Sequence, residues 1–165
     1  ICPALKLNSG KKSKENQMQK HLFTIIGKGQ CGKTTVIKKI NELYQSRLES
    51  AGFTVCNAKN TTGKDIALRY THSNGLKIGI FSSGDTASII DKYCGIFKDC
   101  DIIICASRHT KPQFTAIRNA ARDQNRLLHV LNKTGMHKTD TNLDDDWIIE
   151  QFKQKTQNLE PFSSL

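Results

Sequence analysis

A three-layer α/β/α sandwich around a mainly parallel central sheet is the fold this sequence predicts, and three observations carry the prediction. The apolar run Leu22-Phe23-Thr24-Ile25-Ile26 ends in a glycine-rich stretch, after which apolar residues recur at helical spacing. A second apolar run, Ile102 to Ala106, is flanked on both sides by segments of helical spacing. Strands apolar on both faces that alternate with helices are covered by helices above and below.

The elements follow in order. Residues 1–19 lack periodicity and contain Asn8-Ser9-Gly10, and with Lys6, Lys11, Lys12, Lys14 and the adjoining Lys20 they read as a flexible basic leader. One domain is expected over 20–165. After the first strand, Val36, Ile37, Ile40, Leu43, Tyr44 and Leu48 mark a helix that Gly52 can end. Phe53 to Cys56 is a short strand, and Ile66 to Thr71 and Leu76 to Phe81 form a β-hairpin across Asn74-Gly75, a dipeptide suited to tight turns. Thr86 to Phe97 is helical through Ile89, Ile90, Tyr93 and Phe97, and precedes the strand at 102–106. Thr110 caps the next helix, with Pro112 in its first turn and Phe114, Ile117 and Ala121 facing inward; Leu127 to Leu131 is a further strand. The last helix starts at Thr141 or Asn142, places Asp144, Asp145 and Asp146 near its positive end, and turns Trp147, Ile148 and Phe152 to the core.

Composition narrows the function classes. A net charge of +10 on 165 residues favours an anionic ligand or partner without choosing among nucleotide, nucleic acid and acidic protein. Aromatic residues make up 7% and do not interleave with the basic ones, so no base-stacking platform is visible; the leader is either a solvated tail or a nucleic-acid arm. The six cysteines form no CxxC pair and no Cys/His cluster at zinc spacing, and read as free thiols of a reducing, cytoplasmic setting. No apolar run reaches the roughly 18 residues of a membrane span.

The chemistry concentrates between the first strand and the first helix, where residues 27–34 read Gly27-Lys28-Gly29-Gln30-Cys31-Gly32-Lys33-Thr34. Glycines here let the backbone aim successive N–H groups at a polyphosphate, and the helix N-terminus adds favourable partial charge. In this pattern the lysine, Lys33, contacts the β- and γ-phosphates, the following Thr34 places its hydroxyl on Mg²⁺, and Thr35 supports a neighbouring phosphate.

By these residues the chain resembles the P-loop NTPase superfamily, over His21 to about Gly135 by element order and over Gly27 to Thr35 by motif. Lys28 sits where MinD/ParA-like members carry an extra lysine in KGGxGKT, with Gln30 in place of the second glycine. In that branch such a lysine reaches a partner's nucleotide across a homodimer; the alternative is that Lys28 is a solvated or locally phosphate-attracted lysine. Ras-like members are echoed by Thr61-Thr62-Gly63, by the hairpin, by Phe81-Ser82-Ser83-Gly84 and by Asn132-Lys133-Thr134-Gly135. Phe81 replaces the aspartate of DxxG and Gly135 the carboxylate that reads guanine. Asn132 and Lys133 either flank a purine or form an ordinary strand-to-loop turn.

Two further candidates follow strands. Asp85 is either the acid that holds Mg²⁺ through water or the cap of the next helix. Arg108 is a candidate phosphoryl contact, because a guanidinium fork matches phosphate oxygens; Arg118 and Arg122 share one helix face. The resemblance implies ATP, or GTP, with Mg²⁺ as ligands, and a hydrolase that drives a protein partner as a switch or motor. The alternatives are a small nucleotide or metabolite kinase and a nucleotide-gated module that binds nucleic acid through the leader.

Overall fold

The computed structural model describes residues 18–29, 31–58, 64–133 and 141–165, with side chains from 144 onward in the last stretch. The leader up to residue 17, Gln30, Thr61, Thr62, Thr134 and Gly135 lie outside the described residues.

Among the described residues the main elements in chain order are β1 (Lys20–Gly27), α1 (Lys33–Ser50), β2 (Phe53–Asn57), β3 (Ala67–His72), β4 (Lys77–Phe81), α2 (Ala87–Ile96), β5 (Ile102–Arg108), α3 (Lys111–Asp123), β6 (Arg126–Lys133) and α4 (Thr141–Thr156). They build a six-stranded mixed sheet in the order β2-β3-β4-β5-β1-β6. β4, β5, β1 and β6 run parallel to one another, while β3 is antiparallel to both β2 and β4. The four parallel strands therefore end on one rim, which brings together the residues after β1, β4, β5 and β6.

Alternation along the strands divides the core. Phe23, Ile25, Ile102 and Ile104 face α1 and α4, where they meet Ile37, Ile40, Ile148 and Phe152. Leu22, Ile103 and Cys105 face α2 and α3, against Ile90, Phe97 and Ile117. Successive β side chains point to opposite faces, so a strand apolar at every position needs helices on both sides. Each such aliphatic or aromatic side chain contributes about 1.5–3 kcal/mol by leaving water.

Local chemistry sets the boundaries. Thr86 caps α2 by accepting the Ile89 N–H at 3.2 Å, so the cap falls one residue beyond Asp85. Gly75 adopts φ 94° in the β3–β4 hairpin, where Leu76 N–H donates to Asn74 Oδ1 at 2.9 Å. The hairpin loop is longer than a two-residue turn, because Thr71 already pairs with Lys77. Trp147, expected inward, is 44% exposed; Ile148 and Phe152, one turn apart, take the buried stripe of α4 and rotate Trp147 toward water. Cys94, Cys100 and Cys105 are buried free thiols, whereas Cys56 is exposed on β2. Burial pushes the Cys94 thiol up to about 12 and Cys100 up to about 11.

Candidate functional site

The connections after adjacent strands β1 and β5 leave on opposite faces of the sheet, one into α1 and the other into α3. Such a divergence opens a crevice at the carboxyl ends of the strands. The glycine-rich loop lies in it.

Gly32 ends the loop at φ 83° and ψ 25°, in the left-handed region, and serves as the N-cap of α1. A side chain there would be strained. No side chain caps α1, and its first turn holds no acidic residue. The partial positive charge of this helix end is thus not offset by a carboxylate of the helix's own first turn.

Lys33 is buried and folds back over the loop, its Nζ donating to the Lys28 carbonyl at 2.6 Å and lying 3.8 Å from Cys31 Sγ. Lys28 and Gly29 are exposed, as is Thr35. Gly27 is closed in by its neighbours: a Cβ on it would approach Cys31 Sγ to 2.6 Å.

Among the described residues Asp65 is an acid that reaches the loop threonine. Thr34 Oγ1 donates to Asp65 Oδ1 at 3.4 Å, and Ser82 Oγ donates to the same oxygen at 3.0 Å. Ser82 is itself fixed at the end of β4, where its N–H donates to the Ile66 carbonyl at 3.0 Å and its Oγ accepts the Ile66 N–H at 2.9 Å. Asp85 instead forms an ion pair with Arg108, Nε to Oδ1 at 3.1 Å, with its side chain 68% exposed. Sequence reasoning passed over Asp65 because it precedes a strand rather than following one. Its proximity to Thr34 comes from the antiparallel return of β3 beside β4.

Arg108 reaches the loop from the end of β5. Its guanidinium carbon would lie 3.5 Å from a Cβ on Gly29, and the following residue, His109, donates its N–H to the Gly27 carbonyl at 3.1 Å. Arg118 and Arg122 line a groove of about 500 Å³ with Arg126 and Leu128. Arg126 begins β6 and Lys133 ends it, so that groove extends toward the rim opposite the loop.

Asn132 is exposed, while Lys133 points inward, with its Nζ 2.5 Å from Asp145 Oδ1. That Nζ also lies 3.0 Å from where a Cβ on Gly32 would sit, so Lys133 stands behind the loop. Asp145 was legible only as one of three acids near a helix start.

The oxygen donors Thr34, Asp65 and Ser82 are hard ligands, suited to Mg²⁺, which keeps several waters and takes the rest of its shell from one or two protein groups and phosphates. Among the described residues no group of three or more His, Cys, Asp or Glu could hold a metal on its own. A cavity of about 690 Å³ lies on the opposite rim between Phe53, His72, Leu76, Asp101 and Pro161, away from these groups.

Comparison with protein-family models, with curated proteins and with solved structures gives no match for this chain. Among the described residues no helix is long and apolar enough to cross a membrane.

Proposed function

We propose that the chain binds a nucleoside triphosphate with Mg²⁺ in the loop from Gly27 to Thr35 and hydrolyses it, using the γ-phosphate to switch or drive a partner. The observation that carries this reading is the convergence on one rim of an uncapped helix start, the Lys33 ammonium, and the Thr34 hydroxyl against the Asp65 carboxylate. Backbone N–H groups and Lys33 suit the β- and γ-phosphates. Thr34 and Asp65 are the groups that would hold Mg²⁺, directly or through its waters, and the ion would neutralise charge on the β- and γ-oxygens. Arg108, whose side chain is 42% exposed and paired with the exposed Asp85 carboxylate at the loop rim, is the candidate for stabilising charge on the transferred group by exchanging Asp85 for a phosphoryl oxygen.

ATP is favoured over GTP because the guanine-reading carboxylate has no counterpart in the sequence. The kinase reading loses support from Arg118 and Arg122, which lie along the distant groove; it retains Arg108 alone. The test is incubation with Mg²⁺ and γ-labelled ATP or GTP, with and without nucleoside monophosphates. Free labelled phosphate from the wild type and none from Lys33→Ala is the expected result. Label on a monophosphate would establish transfer instead, and nucleotide binding unaffected by Lys33→Ala would sink the assignment of the loop.

A further inference from the structure

Taking the loop as a triphosphate site, we infer that Lys133 is a second cation of that site, placed behind the loop, and that Asp145 sets how much of its field reaches the ligand. The inference rests on the juxtaposition of Gly32, Lys133 and Asp145.

Lys133 is the last residue of β6 and pairs in register with Gly27 of β1. Its side chain is 2% exposed, against 4% for Asp145. The ammonium lies against Gly32, close enough that any side chain at that position would crowd it. Gly32 is the residue at which the loop turns into α1, where N–H groups converge on an anion. A cation held there and shielded from bulk water acts across a few ångströms with little screening. Asp145 opposes it: one carboxylate oxygen takes Lys133, and the other takes Lys39 of α1 at 2.9 Å.

A buried ammonium without a counter-charge is costly, so the pair also serves stability. The two roles separate in their consequences. If the pair only docked α4, removing either partner would weaken the fold and lower nucleotide affinity without regard to phosphate number. A cation metered by a carboxylate predicts effects of opposite sign that grow with the charge of the ligand. Lys133 is accordingly a positioning and electrostatic residue that acts through the loop.

The experiment measures affinities for ATP, ADP and AMP by calorimetry at low salt, with thermal melts alongside, for wild type, Lys133→Met and Asp145→Asn. Lys133→Met keeps the aliphatic stem and is expected to lower the ATP-to-AMP affinity ratio by about tenfold, whereas Asp145→Asn raises the ratio even as it lowers the melting temperature. Ratios that stay at the wild-type value, or fall in both variants, overturn the inference. Should Asp145→Asn fail to fold, Lys133→Met decides alone, an unchanged ratio counting against it. Wild type that binds no nucleotide removes the triphosphate reading itself, whereas normal wild-type binding with unchanged ratios removes only the role given to Lys133.

Discussion

Thr34 and Asp65, 31 residues apart in sequence, meet at 3.4 Å between the hydroxyl and the carboxylate, with Ser82 holding the same carboxylate oxygen from the end of β4. The contact joins the first turn of α1 to the residue pair that leads into β3. It gives different partners to two acids that sequence spacing alone does not rank, Asp65 taking Thr34 and Asp85 taking Arg108.

If the chain hydrolyses a nucleoside triphosphate with Mg²⁺ as proposed, Asp65→Asn is expected to cost about 10–100-fold in Mg²⁺-dependent turnover, in the range typical for groups that orient metal ligands. Asp85→Asn should raise the Mg²⁺ requirement little, since its partner is Arg108. Titrating initial phosphate release against Mg²⁺ for both variants checks this. Equal losses in the two would argue against a metal role for Asp65.

Gly84 is held by contact rather than by conformation. A Cβ built there would fall on the Ala106 carbonyl oxygen and lie 2.7 Å from its carbon. That backbone belongs to β5 and cannot retreat without breaking the sheet, so Gly84→Ala should destabilise the fold by about 1–3 kcal/mol. Denaturant melts would show a lower midpoint with an unchanged slope.

His21 and His129 stack across β1 and β6, Nδ1 to Nε2 at 3.0 Å, beside the ring of Phe23. Burial, then the neighbouring His21 and Lys155, pushes the His129 imidazole down to about 4, and burial also lowers His21. Because the folded state resists protonation that the unfolded chain accepts, the unfolded state binds more protons below the ordinary histidine value. The stability is fully present above about pH 6.5 and is lost progressively as pH falls toward about 4. A loss of roughly 1–2 kcal/mol is expected, after allowance for partial solvent screening. His129→Gln should flatten the pH dependence of unfolding between those values; an unchanged slope would refute the linkage.

Phe152 of α4 is fully buried and meets Phe23, Tyr44 and Phe162 edge-on, with ring centroids 5.3, 5.9 and 5.5 Å away. Phe152→Ala should cost about 3–5 kcal/mol, whereas Trp147→Ala on the exposed side of the same helix should cost far less. Chemical denaturation of the two variants gives the comparison.

Much of the architecture was legible in the residues because the signals are local. Apolar runs at 22–26 and 102–106, the glycine turn at Asn74-Gly75 and the loop from Gly27 to Thr34 each depend on neighbours within a few positions, whereas the cap of α2 is Thr86 and not the Asp85 that the sequence offered. Binary pattern and turn chemistry act over such distances, so they carry element type, the alternation of strand and helix, and the strand–loop–helix setting of the candidate site. The pattern could not reveal that Trp147 turns outward, because three apolar residues in one helix turn compete for one stripe.

Strand order and the partners of charged groups are of another kind. Asp65 gains its place beside Thr34 only when β3 returns antiparallel to β4, and Asp145 reaches Lys133 only when α4 packs back against α1 and β6. Asp85, well placed after a strand by sequence, is drawn to Arg108 once β5 inserts between β4 and β1. Electrostatic roles follow distance through space and burial, which depend on how all six strands are ordered, whereas propensity and periodicity follow distance along the chain. The loop was therefore readable from its own residues, and the identity of the groups around it came from the packing of segments far removed in sequence.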